Sequence, residues 1–280
     1  MKNLKWLACV VAFSSLFATG CSNQNEETVI IGMECNYAPF NWTAATSSDY
    51  TLPIFNEAGK YADGYDIQFA KRLSKELNKK VTIMKLEWDN LIISLNNKTI
   101  DAVIAGMTDT AERRESIDFS DEYYRSELVL ITKKTDADAN EGKQLGKEEL
   151  GTLLNGKNVE SQRGTVTDQV IDTFQNDCHA IHSTPVDTFA KAASDVHIGA
   201  AYAMTAELPV AQSIVKNYSD LGIIHMNQDI LGVDLSDLGV SIGLRKGDEE
   251  LKKEINGVLK NFSKEDRDSV MLAAVERSGE

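Results

Sequence analysis

The chain has 280 residues, 42% hydrophobic and 26% charged. That mixture excludes a disordered or fibrous chain, and the length leaves room for about two hydrophobic cores. With 29 Lys+Arg against 43 Asp+Glu the net charge is −14, a field that repels phosphate backbones and argues against nucleic acid as a partner.

Lys2 and Lys5 precede an apolar run from Trp6 to Phe13 that continues through Leu16-Phe17, and small residues, Ala18-Thr19-Gly20, lead to Cys21. Basic, apolar, then small is the layout of a secretory signal, here residues 1–20. A cysteine directly after the small residues resembles a bacterial lipobox, with Ala18 standing where leucine is usual. Cys21 is then the lipidated residue, and the polar stretch Ser22 to Glu27 completes a tether over 21–27. The expected location is outside the cytoplasm, lipid-anchored on the membrane surface at the cell surface or in the periplasm. The alternative is a plain signal peptide with an incidental cysteine. Removing residues 1–20 removes two lysines and no acid, taking the charge from −14 to −16. Cys35 and Cys178 remain in the exported domain. Export permits a disulfide, but two buried thiols are the expectation. No later segment offers 18 unbroken apolar residues.

Along the exported chain, Val29-Ile-Ile31 reads as a strand. Asp66 is positioned to cap a helix with Ile67, Ala70, Leu73 and Leu77 on one face. Val81–Met84 is a second strand, and Trp88, Leu91, Ile92 and Leu95 mark a second helix. Asp101–Ala105 is a third strand, apolar enough to be buried on both faces. Strand–helix alternation implies right-handed crossovers and a parallel sheet. Thr135–Gly142 reads as a surface loop. A second α/β pattern follows: Leu153 to Val159 leading into Gly164-Thr165, a helix capped at Thr167 or Asp168 with Val170, Ile171 and Phe174 inward, a helix at Phe189 and Ala192-Ala193, a strand at Tyr202–Thr205, and a helix at Val210–Val215. Val240–Leu244 returns to strand. Asp248 caps a helix with Leu251, Ile255, Val258, Leu259 and Phe262 inward, and Ser263–Asp266 opens a last helix.

Gly239-Val-Ser-Ile-Gly243 fits the nucleophile-elbow pattern, yet no helix start and no later histidine follow it, so it reads as a chance match. Cys178-His179 with His182 lacks a fourth metal ligand at a usual spacing and reads as loop. No phosphate-binding glycine motif is present. No cofactor and no metal are expected.

The informative stretch is Asp101 to Arg114. A buried strand ends at Gly106, the chain turns through Met107-Thr108, and a short helix begins near Thr110. Ligands of open α/β sheets bind at this carboxyl end, where helix N–H groups suit an anion. Thr108 adds a hydroxyl, and Arg113 can grip a carboxylate with two parallel hydrogen bonds. Equally, Arg113 and Arg114 can be a solvated pair beside Glu112 and Glu115.

Gly106-Met-Thr-Asp-Thr-Ala-Glu-Arg-Arg114, with Ile117 to Tyr124 after it, resembles the core of the family 3 solute-binding proteins of polar amino-acid ABC importers. Ile31 to Phe40, Gly64-Tyr-Asp-Ile67, Glu87 to Ile92, Gly164-Thr165, Glu207 to Ala211 and Gly243 to Asp248 extend the resemblance over essentially the whole exported chain. The resemblance implies that Arg113 and Thr108 hold a ligand α-carboxylate, helped by backbone at Gly106, Thr165 and Val166, with Met107 a further ligand-binding candidate. It places the ammonium-binding acid at Glu207, where aspartate is commoner, and a pocket-loop acid at Glu34. Tyr37 and Trp88 resemble the clamp on the ligand side chain, with Trp42 a weaker candidate. Val166 stands where the family often has threonine, and the insertion between Trp42 and Tyr61 alters the rim.

The implied fold is α/β, a two-lobed type II periplasmic-binding-protein-like fold with a ligand cleft and two crossover strands. Lobe one is expected at 28–131 plus 241–280 and lobe two at 132–240. The implied function is capture of a free amino acid and delivery to an ABC permease in the cytoplasmic membrane, by a monomeric, non-enzymatic protein. The rivals are an enzyme on the same scaffold, with Glu34 or Glu207 as general acid, and a sensory surface module without an importer.

Overall fold

The computed structural model describes residues 28–278. The signal at 1–20, the lipidation site Cys21 and the rest of the 21–27 tether lie outside the described residues.

β-branched runs build the two larger of three sheets among the described residues, both mixed. The first has the strand order Lys80–Lys85, Thr28–Met33, Ala102–Val103, Gly239–Leu244, Asp118–Arg125. The Thr28–Met33 strand is parallel to both of its neighbours. Gly239–Leu244, the returning chain, runs antiparallel to both of its own. The second sheet has the order Gln144–Leu145, Leu221–Met226, Leu128–Lys133, Ala203–Glu207, Asn158–Glu160, Ile181–His182. There Leu128–Lys133, the outgoing chain, is the antiparallel strand. The wholly parallel sheet expected from strand–helix alternation is therefore corrected: a chain that crosses between lobes enters each sheet in the opposite sense. The chain leaves the first sheet at 126–127, ahead of the expected 131/132 boundary, and re-enters at Gly239.

The helices follow the apolar periodicity with local corrections. Asp66 is not the cap of the helix Tyr65–Leu77. It is wholly buried in the first turn, where its two oxygens accept hydrogen bonds from Tyr123 and Asn41. Burial drives its carboxyl up to about 7 against those bonds. The residue before this helix is Gly64, at φ 134°; a Cβ there would lie 2.1 Å from the Phe40 carbonyl oxygen. The expected helix from Trp88 divides into a 3-10 turn, Trp88–Asn90, and the helix Leu91–Asn96, with Leu91 and Leu95 buried. The helix Val166–Cys178 is capped by Thr165, whose hydroxyl accepts from Asp168 N, and not by Thr167 or Asp168. Part of the expected loop at 135–142 is the helix Lys134–Asp138, anchored by Ala137 against Gly222. Cys178 to His182 is loop only at His179-Ala180: Cys178 ends its helix and His182 lies in a strand, its ring nitrogens 2.8 and 2.9 Å from Asp168 and Asp172. Asp248 and Ser263 cap the last two helices as expected.

The 43–60 insertion joins the sheet system. Asn41–Ala44 and Leu52–Pro53 both pair with Tyr61–Asp63, and Ile54 pairs with Ile83. The Asn56 side chain bonds the Lys85 carbonyl and N–H. The insertion thus covers the edge of the first sheet, where an unpaired strand would invite association.

One core cluster gathers Phe40, Tyr65, Phe69 and Tyr123 of the first lobe; a second lies under the helices Lys147–Leu154 and Val166–Cys178. Cys35 and Cys178 are buried and unpaired with each other. Ser241 of the elbow-like motif is buried mid-strand and donates through its N–H to Met107 O. Among the described residues no helix is long and apolar enough to cross a membrane, and no cluster of three or more metal-ligating side chains occurs.

Candidate functional site

Carboxyl ends of strands from both sheets meet in one hollow. Glu34, Tyr37, Trp88, Gly106, Thr108 and Arg113 line it from the first lobe, and Gln162, Thr165, Val166, Phe189 and Glu207 from the second. Of the ten residues expected from the sequence, nine converge there. Met107 does not: it lines a separate cavity of about 300 Å³ that shares Trp88 and Arg113 with the hollow. Trp42, the weaker candidate, also lies outside the hollow.

Arg113 sits in the short helix Ala111–Ser116, capped by Thr110. Its Nη1 donates to the Thr108 carbonyl (2.8 Å) and hydroxyl, and its Nη2 donates across the cleft to the Gly164 carbonyl (2.9 Å). The guanidinium lies 5.1 Å from the Trp88 ring centroid, within cation–π range. Burial lowers its pKa to about 10, so it stays charged at neutral pH. Arg114 instead faces out and pairs with Asp109.

On the other wall, Glu207 ends the strand Ala203–Glu207 and precedes the helix Leu208–Asn217. It is 9% exposed and accepts a hydrogen bond from the Tyr37 hydroxyl. Burial raises its pKa; Tyr37 and the Arg113 charge oppose that rise. Glu34, also buried, accepts from Gln162 Nε2 at 2.8 Å, and the same nitrogen donates to the Asp187 carbonyl. Phe189 packs against Tyr37 at a tilt of 32°, with centroids 4.7 Å apart, and Trp88 Nε1 donates to Gly164 O. Thr165 spends its hydroxyl proton on the Gln162 carbonyl, so its contribution to a ligand is backbone, at the N-terminus of a 13-residue helix.

The hollow measures about 20 Å³, room for about one water and not for an amino acid. A guest enters only if the two lobes part, which breaks the Tyr37–Glu207, Glu34–Gln162 and Arg113–Gly164 bonds. What the hollow offers is one half-buried cation on one wall and the buried acid Glu207 on the other, with helix N–H groups beside the cation. That is a receptor for a small molecule bearing both charges.

The model of the bacterial extracellular solute-binding proteins, family 3, matches residues 29–268. The chain belongs to that family. Its relatives include the arginine-binding extracellular protein ArtP of Bacillus subtilis (strain 168), 30% identical over 172 residues, which span 59% of this chain and 58% of ArtP. The putative ABC transporter arginine-binding protein 2 of Escherichia coli (strain K12) is 26% identical over 92% of this chain and 93% of its own length. Among solved structures, the amino acid ABC transporter substrate-binding protein AbpA of Streptococcus pneumoniae, bound to L-arginine, superposes with a TM-score of 0.72 at 23% identity, covering 90% of this chain and 96% of that one. This last likeness is one of fold.

Sequence reasoning missed Gln162 and Phe189. Phe189 registered only as an apolar helix position, and Gln162 lies two residues before the noted Gly164-Thr165.

Two predictions arise from the site. Gly106 has φ +60°, and a Cβ would come within 2.8 Å of Tyr37 Cε1. Gly106→Ala should therefore lower stability by about 1–3 kcal/mol and displace Tyr37; urea denaturation checks the first and ligand titration the second. Glu34 is pushed up to about 7, chiefly by burial, with Gln162 opposing and Glu87 and Asp89 adding to the rise. The folded state thus holds this proton more tightly than the unfolded chain. The associated stability is complete below about pH 4.5 and is lost as pH climbs through about 7, to the extent of about 3 kcal/mol. Urea midpoints at pH 5 and pH 8 should fall less for Glu34→Gln than for wild type.

Proposed function

We propose that the protein captures a free amino acid outside the cytoplasmic membrane and delivers it to an ABC permease. The observation that carries this reading is the pair of a half-buried Arg113 and a buried Glu207 on facing walls of one hollow. The ligand carboxylate sits on Arg113, Thr108 and the amides at Thr165 and Val166, against the turn at Gly106, whose own N–H is held by Tyr123. Its ammonium sits on Glu207 beside Tyr37. Its side chain extends between Trp88, Tyr37 and Phe189 toward Glu34 and Gln162, where the carboxylate and amide oxygens favour a donor-bearing side chain, cationic or amide. Arginine-binding relatives and the family match support that class.

The moving bodies are the two lobes, taken from the sequence as 28–131 plus 241–280 and 132–240, with the outgoing strand shifted to the second. A bound zwitterion joins their charges and favours the closed form that the permease recognises. A micromolar dissociation constant corresponds to about −8 kcal/mol, within reach of a few charge-assisted bonds. The chain acts as a monomer, held at the membrane surface through Cys21, and does not turn its ligand over. A thermal-shift screen over the free amino acids tests the reading, since a ligand that binds only the folded state raises the melting point by mass action. At least one amino acid with a cationic or amide side chain should raise it and then bind one-to-one by calorimetry with no product formed. A flat screen, or product formation, contradicts the proposal.

A further inference from the structure

The buried carboxylate of Asp66 stands at the fork of two hydrogen-bond chains, each ending on a backbone N–H of a loop that lines the hollow. On one branch, Gly106 N donates to the Tyr123 hydroxyl (3.0 Å), and that hydroxyl donates to Asp66 Oδ1 (2.7 Å). On the other, Cys35 N donates to Asn41 Oδ1 (2.7 Å), and Asn41 Nδ2 donates to Asp66 Oδ2 (2.8 Å). Asp66, Tyr123 and Asn41 are each 0% exposed, and none of the three lines the hollow. Gly106 lies in the turn that follows the strand Ala102–Val103 and leads to Thr108, and Cys35 follows Glu34 directly.

We propose that Asp66 and Tyr123 are positioning residues for the ligand site, fixing through this fork the two first-lobe loops that hold Gly106 and Glu34. The direction of each bond matters. Tyr123 has one hydroxyl proton, and only because Asp66 takes it does a lone pair face the Gly106 N–H. The Asn41 amide is oriented likewise: its NH₂ meets a carboxylate oxygen, so its carbonyl meets the Cys35 N–H. An ionised carboxylate accepts on both oxygens, whereas an amide at this position would present one donor to a donor and reverse a branch. Burial makes such a mismatch costly, because no water can replace the lost partner. The ring of Tyr123 is itself held by Tyr65, which stacks on it at 5.8 Å and donates to its carbonyl.

The affinity part of this proposal rests on the amino-acid reading; the backbone part does not, and the experiment separates them. Wild type, Tyr123→Phe and Asn41→Leu are compared at pH 8 by amide-resolved NMR of the ligand-free protein and by calorimetry with L-arginine, L-lysine and L-glutamine as probes. Tyr123→Phe should shift the Gly106 amide resonance and accelerate its hydrogen exchange while leaving Cys35 near its wild-type values. It should weaken all probes that bind by a common factor of about ten, the size of one lost buried hydrogen bond. Asn41→Leu should do the converse, moving the Cys35 amide and changing the ratio between probes. Melting points that fall while affinities stay within twofold and the Gly106 amide is unmoved overturn the proposal. If the variants do not fold, fast exchange of the Gly106 and Cys35 amides in wild type overturns it as well. A wild type that binds none of the probes contradicts the amino-acid reading, and the amide measurements still decide the fork.

Discussion

Arg113→Ala should weaken amino-acid binding by about 3–5 kcal/mol, two to three or more orders of magnitude in affinity. The guanidinium is the sole cationic side chain among those lining the hollow. Its two amino groups are already aimed by the Thr108 and Gly164 carbonyls, so little ordering remains to be done when a carboxylate arrives. Without it, a carboxylate enters a closed cleft and finds only helix amides and one hydroxyl, and the desolvation of its charge is left largely uncompensated. Arg113→Lys should recover only part of the loss, because an ammonium cannot make the two parallel bonds of a guanidinium. Calorimetry on the folded variant is the check; wild-type affinity for Arg113→Ala would remove the carboxylate assignment. Exposed Arg114, one residue on and paired with Asp109, is the control whose loss should leave binding unchanged.

Glu207→Gln should cost about 2–3 kcal/mol, and selectively. The amide keeps the size of the side chain and an acceptor for the Tyr37 hydroxyl, but not the charge. An amino acid therefore loses the partner of its ammonium, while its des-amino analogue, which has no ammonium, loses almost nothing. The comparison of the two ligands isolates the charge from any general disturbance of the cleft. Equal losses for both would refute the ammonium role. Tyr37 does not compete with the ligand for Glu207 outright, because an ionised carboxylate has about four acceptor positions and one hydroxyl fills one.

What was legible in the sequence is what local chemistry dictates. Arg113 stands in the first turn of the short helix that follows a buried strand and the turn Gly106-Met-Thr108, and Glu207 stands where an apolar strand meets Leu208-Pro209 at a helix start. Both are charges at strand ends, which is where an α/β cleft opens. Helix faces were readable for the same reason, since Val170, Ile171 and Phe174, or Ile255, Val258 and Leu259, repeat at helical spacing and are buried. What was not legible depends on partners far away along the chain. Gln162 reaches Glu34 across 128 residues, Tyr37 reaches Glu207 across 170, and the Asp66 fork joins residues 35, 41, 66, 106 and 123. Asp66 looks like a helix cap from its neighbours alone; the tertiary donors of Asn41 and Tyr123 claim it instead. The antiparallel crossing strands were missed on similar grounds, because direction is set by which lobe the chain comes from and not by strand composition.

The central claim, that a doubly charged guest joins the two lobes through Arg113 and Glu207, is tested most directly by a crystal structure of the protein with the amino acid chosen by the thermal-shift screen. The account predicts the ligand carboxylate within hydrogen-bond distance of both Arg113 amino groups and the ammonium within hydrogen-bond distance of a Glu207 oxygen. A ligand bound elsewhere, or seated in the hollow with its ammonium turned away from Glu207, would contradict it.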